Sequence, residues 1–217
     1  MQTTTPEYIY ETTQPGHHHQ YLAQAILSLL PNPASAPDAP LRVLDLGCGN
    51  GSFSHFIANQ GFNVTGVEES ASGIAFAKQT YSDCCFSQSS IYDLELPQHY
   101  HSFDIVLAVE VIEHLFYPKE LARVAKQYLR PGGTLVVTTP YHGYLKNLTM
   151  AVTGKLDRHF TVLWDGGHIK FFSVPTLRQL VLDEGFANPQ FKFAGRFPYL
   201  WKGMVCAATL PPSAKAS

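Results

Sequence analysis

Two kinds of apolar pattern run along the chain. Leu22, Ala25, Ile26, Leu29 and Leu30 recur at helical spacing, and Pro31-Asn32-Pro33 ends that run. Residues 31–40 hold four prolines and read as a linker. Short, continuously apolar runs follow: Arg42-Val43-Leu44-Asp45-Leu46, Asn63-Val64-Thr65-Gly66-Val67, Cys84-Cys85-Phe86, residues 103–109 and residues 134–139. Helical stretches over 52–60, 70–80 and 118–129 lie among them. Strands that are apolar throughout are covered on both faces, and their alternation with helices predicts a parallel sheet. Residues 140–172 break the rhythm and are too long for a simple connection, so they read as a lid or functional insertion. A helix over 174–185 closing at Gly185 follows, then a closing pair of strands at 189–195 and 202–209.

The expected fold is therefore α/β: a Rossmann-like, doubly wound, seven-stranded sheet. An N-terminal arm and helix (1–40) precede a domain over 41–217, which carries the insertion at 140–172. Residues 1–16 are polar and Thr-rich, with Tyr8 and Tyr10 placed to pack on something, as does Tyr21 beyond them. In such a sheet a ligand sits at the carboxyl ends of the strands, where the strand order reverses.

A length of 217 residues fits one domain, and 45% hydrophobic against 15% charged residues excludes a disordered chain. Fifteen basic and 17 acidic residues give a net charge of −2, and no Lys/Arg block exists. A protein that grips phosphates along nucleic acid needs a basic stripe, so there is no strong nucleic-acid signature. The start of the chain has neither a basic nor an apolar leader segment, and no apolar run is long enough to span a membrane, so a cytoplasmic location is expected. Cys48, Cys84, Cys85 and Cys206 fit no zinc spacing and read as structural thiols.

The strongest local signal is Val43-Leu44-Asp45-Leu46-Gly47-Cys48-Gly49-Asn50-Gly51. A strand ends, the chain turns tightly, and a helix begins at Ser52. Gly47 and Gly49 let a ligand approach the backbone. The dinucleotide fingerprint has a third glycine where Ser52 stands. Asp45 would repel a pyrophosphate but attract an ammonium or a sulfonium. Both features argue against a nicotinamide dehydrogenase. Glu68, 17 residues past Gly51 at the end of the second strand, can take the two hydroxyls of a ribose.

Residues 43–51, Val64 to Ser70, Ser102 to Leu115 and Leu129 to Thr134 resemble the successive motifs of class I S-adenosylmethionine-dependent methyltransferases, over about residues 40–140. Glu110-Val111-Ile112-Glu113-His114 and His168-Ile169-Lys170-Phe171-Phe172 are similar to the ubiquinone-biosynthesis O-methyltransferase group. The resemblance implies S-adenosylmethionine as cofactor. It places Gly47, Cys48, Gly49 and Gly51 around the methionine part, with Asp45 beneath. It places Glu68 on the ribose, with Glu69 as the next candidate, and Ser90 and Ile91 at the adenine. Many members carry Asp where Ser90 stands. Val109 and Glu110 would flank the methyl donor.

Glu110, Glu113 and His114 cluster at the exit of the fourth strand, and His168 lies in the insertion, able to fold over the same place. Two carboxylates with one or two imidazoles suit Mg²⁺, Mn²⁺ or Zn²⁺, which could bind adjacent oxygens of an acceptor. His114 or His168 as a plain general base is an equal reading. The bland reading is a helix start at Glu113-His114. The expected function is methyl transfer to a small acceptor, at a hydroxyl of an aromatic or quinol-like molecule. The alternatives are an RNA 2′-O-methyltransferase, whose small-RNA members are similar in this Glu/Glu/His pattern, and a non-catalytic cofactor-binding protein.

The insertion is aromatic and apolar, with Gly166 and Gly167 as a hinge, and reads as acceptor pocket and lid. Its apolar face over 140–160 is a candidate for peripheral membrane contact, with Lys146, Lys155 and Arg158 available for anionic head groups. Residues 196–202 are aromatic again and pack against the insertion, with no chemistry assigned. One of His17, His18 and His19 closes over the cofactor, or the three form a polar helix start.

Overall fold

A computed structural model describes residues 8–12, 14–33, 39–97, 102–160 and 162–212. Helix α1 (His17–Leu27) leads into β1 (Arg42–Leu46), α2 (Ser52–Ala58), β2 (Asn63–Glu68), α3 (Ala71–Thr80) and β3 (Cys85–Gln88). Then come β4 (Phe103–Ala108), α4 (Pro118–Tyr128), β5 (Leu129–Pro140), α5 (Tyr144–Val152), α6 (Leu156–Phe160), α7 (Val174–Asp183), β6 (Ala187–Ala194) and β7 (Gly203–Thr209). The seven strands form one sheet in the order β3-β2-β1-β4-β5-β7-β6. β1 to β5 are parallel, and β7 runs antiparallel between β5 and β6.

The apolar runs produce this sheet because alternate residues face opposite sides and both sides are covered. Leu44, Val106, Leu135 and Val137 enter one core cluster, together with Leu121 of α4 and Leu177 of α7. Val43, Ile105, Leu107 and Val136 enter the other, together with Leu22 and Ile26 of α1 and Phe53 and Ile57 of α2. The N-terminal helix is thus part of the second layer.

Boundaries differ from the sequence expectation where local geometry decides. β4 stops at Ala108 because Glu110 turns into the left-handed region (φ 55). β5 begins five residues early, since Leu129 pairs with Phe103 before Arg130 to Gly133 loop out and Thr134 pairs with Ile105. α7 ends as a Schellman turn: the Phe186 N–H donates to the Val181 carbonyl, the Gly185 N–H to that of Leu182, and Gly185 takes φ 89. Among the described residues no helix is long and apolar enough to cross a membrane.

The strand order reverses between β1 and β4, so the crevice lies beyond Leu46, Glu68 and Ala108.

Candidate active site

The loop leaving β1 carries Gly47, Gly49 and Gly51 at φ 75, 57 and 79, all left-handed. A Cβ at Gly47 would also lie 2.5 Å from the Val111 side chain, so that position has neither the backbone freedom nor the room for another residue. Gly47 and Cys48 donate their N–H groups to the Val67 carbonyl of β2 at 2.8 and 3.0 Å. The Glu68 carboxylate then ties two turns together. Its Oε2 accepts from the Gly49 N–H (3.0 Å), and its Oε1 accepts from the Ser70 N–H (2.9 Å) at the start of α3. Burial raises its pKa, opposed by those backbone donors. Each oxygen keeps a further lone pair for a ligand hydroxyl. Glu69 is exposed, and its carbonyl accepts from the Gln88 amide, so Glu68 is the acid that faces the loop.

Asp45 is buried beneath the loop and accepts from the Ser54 hydroxyl at 2.6 Å. Burial pushes its pKa up to about 6, the Ser54 bond opposes this, and Glu68 adds to the rise. No cation of the described residues pairs with it, so a cationic ligand is its natural complement. The Cys48 thiol is buried and its pKa raised, which makes it inert. Ser90 caps a 3₁₀ turn over Ile91–Asp93 by accepting from the Tyr92 N–H, and Ile91 is buried in the core.

The sequence did not disclose the partner of the N-terminal arm. Tyr10 lies against the glycine loop: a Cβ at Gly49 would sit 2.6 Å from its hydroxyl, and one at Gly73 3.0 Å from its ring. The arm is strapped down by four bonds. The Ser70 hydroxyl donates to the Tyr8 carbonyl (2.6 Å), and the Tyr10 N–H donates to the Ser72 hydroxyl (3.0 Å). The Asn50 amide donates to the carbonyls of Thr12 and Gln14. Burial first, then Glu68, raises the Tyr10 phenol pKa. Of the three N-terminal imidazoles, His19 reaches Ser52 Oγ at 3.5 Å, just past the loop.

The other half of the site stands at the end of β4. Val109 is buried. Glu110 donates its N–H to Thr138 Oγ1 of β5 and accepts that hydroxyl's hydrogen bond at Oε1, both at 2.9 Å. Burial pushes Glu110 up to about 7, against the Thr138 bond and Lys146. Three residues on, Glu113 is fully buried; no group meets hydrogen-bond geometry at either carboxylate oxygen, and the Thr139 hydroxyl, itself without such a partner, lies close enough to favour the charged form. Burial raises its pKa, and Glu110 adds to the rise. Tyr21 of α1, which no sequence motif marks as a site residue, feels both acids.

The insertion closes over this turn. The N–H groups of Ile169 and Lys170 both donate to the Glu113 carbonyl at 2.9 Å. His114 Nδ1 donates to the Gly166 carbonyl at 2.8 Å, which leaves its Nε2 with a free lone pair. His168 Nε2 stands 4.0 Å from Glu113 Oε1, and the two imidazole centroids are 4.8 Å apart. Burial, then His114, pushes His168 down to about 4. Trp164 packs its ring on both imidazoles and on Tyr8 of the arm. One ligand atom each from Glu113, His114 and His168 lies within 4.8 Å of the others. Glu110 is not in that set, because Thr138 holds its carboxylate; the expected four-residue cluster is three residues here.

A reversed parallel sheet with a glycine cradle, a buried acid beneath it and a second acid at the end of β2 is the class I methyltransferase fold. A family model described as "Methyltransferase domain" matches residues 16–190, and the chain belongs to that family. A ubiquinone biosynthesis O-methyltransferase of Caulobacter vibrioides is 34% identical over 135 residues, covering 60% of this chain and 52% of that relative. One from Cronobacter sakazakii is 31% identical over 117 residues, covering 52% of this chain and 47% of the relative. The chain thus spans about half the length of the curated relatives it matches. Among solved structures, an S-adenosylmethionine-dependent methyltransferase from Mesorhizobium loti superposes with a TM-score of 0.67 at 22% identity, covering 87% of this chain and 97% of that one. Magnesium protoporphyrin IX methyltransferase from Synechocystis, with bound S-adenosylhomocysteine, gives 0.65 at 18% identity, covering 88% and 83%.

The pKa of Asp45 yields a stability test. Its folded value of about 6 stands above the ordinary 3.8, so the folded chain holds this proton more tightly. That contribution is fully present below about pH 4 and is lost as pH rises through about 6. Asp45→Asn should therefore stabilise the ligand-free protein above pH 7, by about 3 kcal/mol at most, and weaken S-adenosylmethionine binding. Urea unfolding at pH 5 and pH 8 checks this; equal stability of variant and wild type at pH 8 contradicts it.

Proposed function

We propose that this protein transfers the methyl group of S-adenosylmethionine to a hydroxyl of a small aromatic or quinol-like acceptor. The observation that carries the reading is the fully buried Glu113 carboxylate with two imidazoles beside it, at the strand end next to the cofactor crevice. The cofactor fits the residues present: a cradle that side chains would fill, a buried acid for a cation and a second acid for a ribose. When bound, it supplies a methyl group on a sulfonium, the hard part of the chemistry.

The chain's own task is alignment and removal of one proton. Glu68, Asp45 and the glycine loop would hold the cofactor, whose sulfonium methyl would be the electrophile for the acceptor oxygen. The hydroxyl proton goes to His168 Nε2, which burial keeps neutral near pH 7. The imidazolium formed there faces Glu113 Oε1 at 4.0 Å. The names of the curated relatives, O-methyltransferases of ubiquinone biosynthesis, support a hydroxyl acceptor.

A second reading of the same three groups rests on their spacing. Glu113, His114 Nε2 and His168 would hold Mg²⁺, Mn²⁺ or Zn²⁺, and a cation there would lower the acceptor hydroxyl pKa. The proton-acceptor reading predicts that His168→Gln lowers kcat roughly 100-fold, with S-adenosylhomocysteine affinity unchanged and no response to chelator. Loss of turnover in chelator, restored by one of the three metals, selects the cation instead. Full activity of both His168→Gln and Glu113→Gln, each measured with labelled cofactor, overturns both.

We further propose that α5 meets a membrane surface. Tyr144, Leu145, Leu148 and Val152 are exposed on one face of it, with Lys155 beyond its end. Co-sedimentation with anionic vesicles, reduced by Leu148→Glu together with Val152→Glu, is the expected result; equal sedimentation of wild type and variant contradicts it.

A further inference from the structure

The N-terminal arm is built unlike the rest of the molecule. Residues 8–12 and 14 add no strand to the sheet and no helix to either layer. Tyr8, Ile9, Glu11, Thr12 and Gln14 are exposed, and Tyr10 between them is half-buried. A segment with so little buried surface has little reason of its own to be ordered. The cradle holds it instead. Its bonds go to Ser70 and Ser72 at the start of α3 and to Asn50 in the glycine loop. Those are the two turns that the Glu68 carboxylate joins. The Tyr10 hydroxyl stands over Gly49, on backbone whose missing side chain leaves room for a ligand. A change in the spacing of the two turns therefore reaches the arm.

The arm also reaches the opposite half of the site. The Tyr8 ring packs on Tyr10 at 4.7 Å and edge-on against Trp164 at 6.2 Å. Trp164 packs in turn on His114 at 5.9 Å and on His168 at 6.0 Å. A large ring left 43% exposed contributes little to a core. Its place between the arm and the two imidazoles is what distinguishes it. Trp164 opens a tight turn, closed by the Gly167 N–H on its carbonyl at 3.0 Å. A Cβ at Gly167 would lie 2.9 Å from that carbonyl and 3.3 Å from the indole, so glycine lets the ring fold back on the turn. The same turn supplies the Gly166 carbonyl that accepts from His114 Nδ1. The ring and that carbonyl share one short piece of backbone, so a displacement of Trp164 displaces the bond that orients His114.

We propose that Tyr8 and Trp164 are positioning residues that couple the two halves of the site. With the nucleoside cofactor seated, the arm closes on the cradle, and the Tyr8–Trp164 contact fixes the turn that orients His114 and His168. The acceptor side is then fully ordered only over a loaded cradle. A ligand that orders one segment lowers the cost of ordering the segment packed on it. This inference rests on the methyltransferase reading above.

The test follows hydrogen exchange of the Ile169 and Lys170 amides, which bond to the Glu113 carbonyl beside the imidazoles. It uses NMR on the full chain, with and without saturating S-adenosylhomocysteine. In the wild type the ligand should slow both amides roughly tenfold, within the usual range of coupling between sites. Tyr8→Ala and Trp164→Ala should bind S-adenosylhomocysteine, as calorimetry would verify, and lose most of that slowing. Tyr8→Phe should keep it, because the contact is between rings and the Tyr8 carbonyl that Ser70 bonds is present in every variant. A second readout uses Trp201→Phe, which leaves Trp164 as the single tryptophan. In that background S-adenosylhomocysteine should shift the Trp164 emission, and added Tyr8→Ala should abolish the shift. Exchange unaffected by the bound ligand, or slowed equally in wild type, Tyr8→Ala and Trp164→Ala, overturns the coupling alone. Failure of the wild type to bind S-adenosylhomocysteine contradicts the methyltransferase reading and the coupling together.

Discussion

The architecture of the site depends on one carboxylate. Glu68 at the end of β2 receives an N–H from the loop after β1 and another from the turn before α3. Neither turn has a regular ladder partner for those donors, and buried N–H groups must be satisfied. Removing the carboxylate would free both turns where the strand order reverses. The glycines fit this constraint: left-handed backbone at Gly47, Gly49 and Gly51 brings the loop within reach of β2, and Val111 and Tyr10 occupy the space that side chains there would need. Tyr10 and the arm add a second layer, pinned through Ser70, Ser72 and Asn50, so residues far apart in sequence share one cradle.

Around this frame, buried charges gather at the strand ends and are left short of partners. Asp45, Glu110 and Glu113 are each pushed toward the protonated form by burial, and Lys146 toward the neutral form. A stable core avoids such groups; a site for a cationic cofactor and a polar acceptor collects them. The segment after β5 expresses the same division. Its backbone N–H groups bond to the Glu113 carbonyl and its Gly166 carbonyl holds His114, which fixes the imidazoles, while the apolar side chains of α5 point away from the site.

The sheet was legible because its strands are buried on both faces: Val43 and Leu44, or Ile105 and Val106, are all apolar although they enter opposite layers. Their ends were less so. Glu110 stops β4 through a left-handed backbone that no propensity announces, and Leu129 joins β5 across a bulge. In the site, the glycine loop, Asp45, Glu68 and the Glu113-His114 pair stood out by residue type and spacing. Tyr10 did not, because its contact to Ser72 spans 62 residues. Lys146 did not either. It read as a head-group cation beside an outward apolar face; the structure keeps Tyr144, Leu145, Leu148 and Val152 outward but buries the lysine. Glu110 met the opposite fate: spacing put it with the ligating cluster, and Thr138 of the neighbouring strand holds it out.

The role of Glu68 as the hub of a cofactor cradle is tested most directly by calorimetric titration of S-adenosylhomocysteine into wild-type protein and Glu68→Ala, with NAD as control and circular dichroism to verify the fold. Micromolar binding that Glu68→Ala weakens tenfold or more, about 1.4 kcal/mol, is expected, with no binding of NAD. Equal binding by the folded variant, no binding by the wild type, or a preference for NAD would contradict that role.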